Sequence, residues 1–147
     1  CGAGSPQERW LRGDLAANPR ACTIIYYHHP MFTSGSRFTT SIKPLLQAFY
    51  DNGGDLSLAG HEHNYERFTQ QNPNGTQENG RGVRQFVVGT GGGVLRGFQS
   101  PLNNSEARFS TFGVLKLKLK NSSYSWEFKN TSGFLLDSGT TNCNLKS

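Results

Sequence analysis

Gly60-His61-Glu62-His63-Asn64-Tyr65-Glu66-Arg67, read with the upstream Tyr27-His28-His29-Pro30, decides how this chain is understood. The two stretches place three of the four histidines, His28, His61 and His63, where imidazoles would converge on metal. A neutral imidazole offers a ring lone pair near neutral pH without prior deprotonation, which makes histidine the commonest side-chain metal ligand. Asp51 to Gly60 reads as a turn, a short apolar strand and a glycine, so the His-x-His falls just past a strand end. There a loop can aim two rings at adjacent points.

Working outward, Thr23 to His28 is β-branched and aromatic without alternation, the pattern of a strand buried on both faces and central in its sheet. Ile42 to Tyr50 reads as an amphipathic helix stopped by Asn52-Gly53-Gly54. Strand, helix, strand makes a βαβ unit whose parallel strands end on one edge, and both histidine motifs follow those ends. Upstream, Ser5-Pro6-Gln7-Glu8 is a capping box opening a helix over residues 6 to 17, which encloses Arg12-Gly13-Asp14. Residues 69 to 82 read as a polar loop near the histidines, and Gly89-Thr-Gly-Gly-Gly93 as a tight strand exit, since no lysine or helix follows to make a phosphate loop. In the antiparallel C-terminal third, a two-residue turn at Asn121-Ser122 sets Leu119 opposite Tyr124, Leu117 opposite Trp126, Leu115 opposite Phe128 and Lys116 opposite Glu127.

The apolar strand ending in His28-His29-Pro30, followed by Gly60-His-x-His63 and x-Tyr65-Glu66-Arg67, resembles the C-terminal half of the calcineurin-like metallophosphoesterases. Within them it is similar to the purple-acid-phosphatase-like and secreted alkaline-phosphatase-like branch, and the Arg84 to Gly92 strand and turn continue the likeness. The resemblance implies an α/β fold: the C-terminal half of a metallophosphoesterase β-sandwich flanked by helices, a βαβ unit followed by antiparallel strands. It implies two metal ions (iron, zinc or manganese), with His28 and His61 on one and His63 on the other, and phosphoester hydrolysis by in-line attack of water between cations roughly 3.5–4 Å apart. The substrate would be a phosphorylated small molecule.

Family members complete such a centre with Asp, Asn and His motifs from an N-terminal half, and none of these occurs here. Two neighbouring cations repel strongly without the carboxylates that bridge them, so this chain alone is expected to hold no complete catalytic centre. Residues 1–147 are expected to be the C-terminal portion of a single phosphoesterase domain, and the general acid to lie in the missing half. The partner is then that N-terminal half or a separate chain. Of the neighbouring side chains, His29 and Asn64 are candidates for supporting or substrate contacts, as are Glu66 and Arg67, which are expected to pair and brace the loop. Glu62 is expected to face solvent and Tyr65 to pack.

Composition bounds the rest. The net charge of +5 is dispersed except for Lys116, Lys118 and Lys120, which alternate with leucines as a solvated strand face would. No nucleic-acid surface and no membrane segment is expected. Three cysteines and a polar, low-charge composition fit a secreted, extracellular or periplasmic protein, with a Cys22–Cys143 bridge tying the tail to the first histidine strand and Cys1 seeking a partner upstream. Sequons at Asn74, Asn103, Asn121 and Asn130 agree with secretion. The competing reading is a secreted structural or interaction domain derived from this fold and catalytically inactive.

Overall fold

The computed structural model describes residues 2–144, so Cys1 and its expected bridge lie outside the described residues. The chain runs α1 (Pro6–Ala17), β1 (Ile24–Tyr27), α2 (Lys43–Asp51), β2 (Leu56–Ala59), β3 (Tyr65–Gln71), β4 (Val83–Val88), β5 (Ser105–Phe109), β6 (Gly113–Leu119), β7 (Ser123–Asn130) and β8 (Leu135–Asn142). The first five strands form one sheet in the order β1-β2-β4-β3-β5 and the last three a second sheet in sequence order. β1, β2 and β4 are parallel, as a βαβ crossover requires, while β3 runs antiparallel to β4 and β5.

α1 starts where Ser5 accepts from the Glu8 N–H, and Glu8 answers by accepting from the Gly4 N–H, which caps the orphan donors of the first turn. Arg12, inside this helix, reaches Glu8 and then Asp51 at 2.9 Å, so the arginine of the Arg-Gly-Asp triplet fastens α1 to α2. α2 packs Leu46, Phe49 and Tyr50 with Met31 and Val83 on one side of the larger sheet. On its other side, Leu56, Tyr65 and Phe86 meet Tyr124, Trp126 and Phe128 of β7. Each of these large side chains, fully or almost fully buried, is worth roughly 1.5–3 kcal/mol. The second sheet is therefore held on by β7, whose alternate residues all point inward.

The hairpin register matches the alternation: Leu119, Leu117, Leu115 and Lys116 oppose Tyr124, Trp126, Phe128 and Glu127, and Lys120 N–H donates to Ser123 O around the Asn121-Ser122 turn. Two expectations fail. β1 is an edge strand, since among the described residues nothing pairs its outer side, and Tyr26 is 81% exposed; unbroken β-branched and aromatic sequence does not distinguish an edge from a centre. Residues 65 to 71 form β3 instead of leading into a loop at 69, since Glu66, Thr69 and Gln70 are polar yet buried, a pattern that hides a strand from hydropathy. The loop that follows packs against α2, not the histidines: Asn74 accepts from Lys43 Nζ at 2.7 Å, and Tyr50 donates to Glu78 at 2.5 Å.

Cys22 and Cys143 are bridged, with Cα atoms 5.4 Å apart. The tail is also fastened beyond the sulfurs. Asn144 N–H donates to Asp55 at 2.6 Å, and its buried amide donates to the carbonyls of Gly54, Arg81 and Gly82. Between the sheets, Asp137 accepts from Tyr65, from Arg67 through two nitrogens and from Trp126, while Glu106 accepts from Arg67 and Arg84. Trp126 has both guanidiniums about its ring, at 4.9 and 5.0 Å from the centroid.

Candidate metal centre

The β1–β2 ladder continues one step past both strands, where Gly60 N–H donates to His28 O at 3.0 Å. That step sets His28 and His61 on adjacent chain ends. His61 stands at φ +54°, the one non-glycine residue at positive φ among those described, at the centre of a turn in which Glu62 N–H reaches Gly60 O at 2.6 Å. A second such turn brings Asn64 N–H to Glu62 O at 2.9 Å. An L-residue held in the left-handed region costs about 1–2 kcal/mol, so the backbone accepts strain that fixes the direction of this ring.

The resulting geometry brings together His28, His29 and His61. His28 Nε2 and His61 Nδ1 are 3.0 Å apart, and the His29 ring lies 4.0 Å from that of His61 and 4.8 Å from that of His28, centre to centre. One ring nitrogen from each of the three lies within 4.8 Å of the others. His63 is not in this cluster. Its Nδ1 lies 2.8 Å from Val94 O and so carries the proton, leaving Nε2 with its lone pair. Desolvation first, then His29, His28, Arg37 and Arg96, hold the His61 imidazole below the ordinary histidine range, in the neutral form that ligation needs. Burial pushes the phenol of Tyr27, next to His28, up to about 12.

The support beneath the rings was hidden in the sequence. Arg96 spans the His-x-His backbone, its N–H on His63 O at 2.9 Å and its guanidinium on His61 O at 2.8 Å. Gly89 lies so close under the loop that a Cβ there would stand 2.0 Å from Glu62 O, and one on Gly93 would stand 2.6 Å from the His63 ring. These glycines, read from the sequence as a tight strand exit, leave room for the Glu62 backbone and the His63 ring. Glu62 is buried, not solvent-facing: its carboxylate accepts from Arg37 N–H at 2.9 Å beneath the loop after Pro30. Glu66 and Arg67 do not pair with each other. Glu66 is buried under the same loop, accepting from Thr33, from both Ser34 donors and from Ser105, whereas Arg67 turns to Asp137 and Glu106. Adjacent strand residues point to opposite faces, which is why neighbours in sequence found different partners. Tyr65 packs as expected, stacked on Phe128 at 3.9 Å. The amide of Asn64 is buried with neither atom hydrogen-bonded among the described residues.

A sheet edge that gathers imidazoles at the carboxyl ends of parallel strands, backed by an antiparallel sheet, is the arrangement that the resemblance to metallophosphoesterases implies. No family model matches the chain. It is 29% identical over 149 residues to acid phosphatase A of Cryphonectria parasitica, covering 89% of this chain and 29% of that protein, and 30% identical over 145 residues to purple acid phosphatase 21 of Arabidopsis thaliana, covering 86% and 32%. The chain thus spans about a third of the length of these curated relatives. Among solved structures it superimposes on the purple acid phosphatase PPD1 of yellow lupin (Lupinus luteus) seeds with a TM-score of 0.84 at 24% identity, over 96% of this chain and 29% of that one. GAP50, the anchor in the inner membrane complex of Plasmodium, has the same fold at a TM-score of 0.78 and 20% identity, over 95% and 43%. The chain matches a C-terminal portion of a purple-acid-phosphatase-like metallophosphoesterase.

Proposed function

We propose that this chain supplies the histidine part of a metal-dependent phosphoester hydrolase acting on phosphorylated small molecules, with residues 1–147 as the C-terminal portion of one phosphoesterase domain. The observation that carries the reading is the convergence of His28 and His61 from the ends of adjacent parallel strands, in a chain similar to acid phosphatases. The donors fit the group. They are imidazoles, one held neutral and one, His63, tied through Nδ1 so that Nε2 is free, a set that suits zinc and iron by itself and the harder manganese only when carboxylates join it. His28 and His61 would hold one ion and His63 the second, with carboxylate and amide ligands from outside this chain. When bound, the ions would polarise the phosphoryl oxygens and offset their charge.

What this chain contributes is position. Arg96 and the two short turns fix the His61 and His63 backbones, Glu62 and Glu66 hold the loop after Pro30 as a wall beside them, and Val94 O sets the tautomer of His63. The Cys22–Cys143 bridge supports an oxidising compartment, hence secretion or the periplasm. A second reading, a binding domain that kept the fold without catalysis, draws on the open edge of β1 and the groove of about 470 Å³ beside it, lined by Tyr26, Leu58, Val88, Leu115 and Leu117. That an anchor protein has this fold is compatible with it.

Assay of the chain and of a full-length protein carrying it, on an aryl phosphate and an aryl phosphodiester with zinc, manganese or iron, separates the two. The hydrolase reading expects turnover by the full-length protein that His61→Ala and His63→Ala abolish, and none by the chain alone. Full-length turnover untouched by both substitutions overturns the ligand assignment, and a full-length protein inert on every substrate with metal bound leaves the binding domain.

A further inference from the structure

We propose that His28, His29 and His61 form a three-imidazole site that takes one late divalent cation within this chain by itself, with His29 and not His63 as the third ligand. The site shares two residues with the hydrolase reading and deepens it by giving His29 a task, but its test does not depend on phosphoester chemistry.

The argument is one of distance and freedom. Nitrogens bound to one zinc ion at 2.0–2.1 Å can be at most about 4.2 Å apart, and nearer 3.3 Å in a tetrahedron. His28 Nε2 and His61 Nδ1, at 3.0 Å, already have that spacing. The widest separation in the set is 4.8 Å, so roughly an ångström of ring movement closes it. That movement is available: His28 and His29 are exposed, and their rings can turn without disturbing the core. The backbones beneath them are fixed. Pro30 disfavours the helical region for His29, Pro30 O holds Thr39 N–H at 2.9 Å, and His61 is locked by its turn and by Arg96. With the backbones fixed, only the ring torsions remain to be ordered on capture.

The hydrogen between His28 and His61 marks where the ion goes. One of the two facing nitrogens must carry the proton that joins them; on capture that ring changes tautomer, its proton moves to the far nitrogen, and both lone pairs face the ion. His63 lacks this freedom, since Val94 O fixes its tautomer and the Gly93 backbone flanks its ring. With three imidazoles and no carboxylate in the cluster, the site selects zinc, copper, nickel or cobalt over magnesium, calcium or manganese.

The test is titration of the oxidised 147-residue chain with Co(II) followed by absorbance and with Zn(II) by calorimetry, in phosphate-free buffer, with Mg(II) alongside. One equivalent of Co(II) and Zn(II) should bind and Mg(II) should not. His29→Ala should weaken zinc by at least the ~10–100-fold that loss of even a supporting group costs metal sites, and by more than His63→Ala does; His29→Gln should behave like His29→Ala, with far-UV circular dichroism unchanged in all three. Cu(II) electron paramagnetic resonance should show splitting from three nitrogens in the parent and two in His29→Ala. No binding by the parent, two nitrogens in the parent, or a larger loss from His63→Ala than from His29→Ala overturns the proposal. Any of these results leaves the turnover test of the hydrolase reading standing.

Discussion

Between Gly60 and Tyr65 the chain makes two hydrogen bonds that each span only two residues, sets a histidine at positive φ and buries two polar side chains. Between Gly113 and Asn130 it runs through a hairpin in unbroken register, with aromatic residues inward and lysines outward. The histidine end is held by distant polar partners on the 30s and 90s loops, the hairpin by its own alternation. The contrast teaches that stability and positioning are supplied by different parts of the molecule. The β7 aromatics keep the fold, and the histidine loops spend some of that stability on ring direction.

The sharpest way to break the contrast is to loosen the supporting side. The Cys22–Cys143 bridge closes a sequence separation of 121 residues, running from the start of β1 to the end of β8, and the entropy model gives up to ~4–5 kcal/mol for such a loop. Urea unfolding of the chain with and without reductant, or of Cys22→Ser/Cys143→Ser, should show a loss of that order. An unchanged midpoint would mean that the Asn144 hydrogen bonds already hold the tail.

A smaller loss is expected from Asp137→Asn, which removes one of the two carboxylates paired with Arg67 and leaves Glu106 as the other. Breaking a largely buried pair costs about 3 kcal/mol, at the low end because both side chains keep slight exposure. Although desolvation pushes the other way, the hydrogen bonds from Arg67 and Tyr65, the Arg67 charge and the Trp126 hydrogen bond hold the Asp137 carboxyl below its usual range. A depressed folded pKa gives stability that is fully present above the unfolded value, about 3.9, and is lost as pH falls through the folded one. The urea midpoint of the parent should therefore drop below pH 4 more steeply than that of Asp137→Asn, and parallel profiles would remove Asp137 from the acid response.

The smallest effect sharpens the comparison at the histidine end. His61→Gly relieves the left-handed backbone that His61→Ala retains, so the glycine variant should be more stable by about 1 kcal/mol, or about 3 °C in melting temperature for a chain of this size. Equal melting temperatures would show that the turn carries no strain.

Local periodicity made the hairpin register, α1 and α2 readable, because each is decided by residues within a few positions of one another. The convergence of His28 and His61 was readable for a related reason: a βαβ unit must put both strand ends on one edge. What stayed hidden depended on contacts between residues far apart in sequence. Glu62 and Glu66 look like surface carboxylates until the Thr33 to Arg37 loop folds over them, and β3 looks like a loop because its buried residues are polar. Arg96 gave no sign at all, since nothing in a Gly-rich stretch says which backbone its guanidinium will span. His29 next to His28 left open whether its ring would join the others, and only the bend of the chain at these two residues decided it.

Trp126, enclosed by the guanidiniums of Arg67 and Arg84 and 5% exposed, has a counterpart in Trp10, 65% exposed on α1. The two indoles make the molecule its own optical gauge. Trp10 should emit at the long wavelength of an indole in water and be quenched by iodide, while Trp126 should emit to the blue and be shielded. Parting of the two sheets would red-shift the second signal and leave the first in place, so sheet separation can be followed in solution with no label attached.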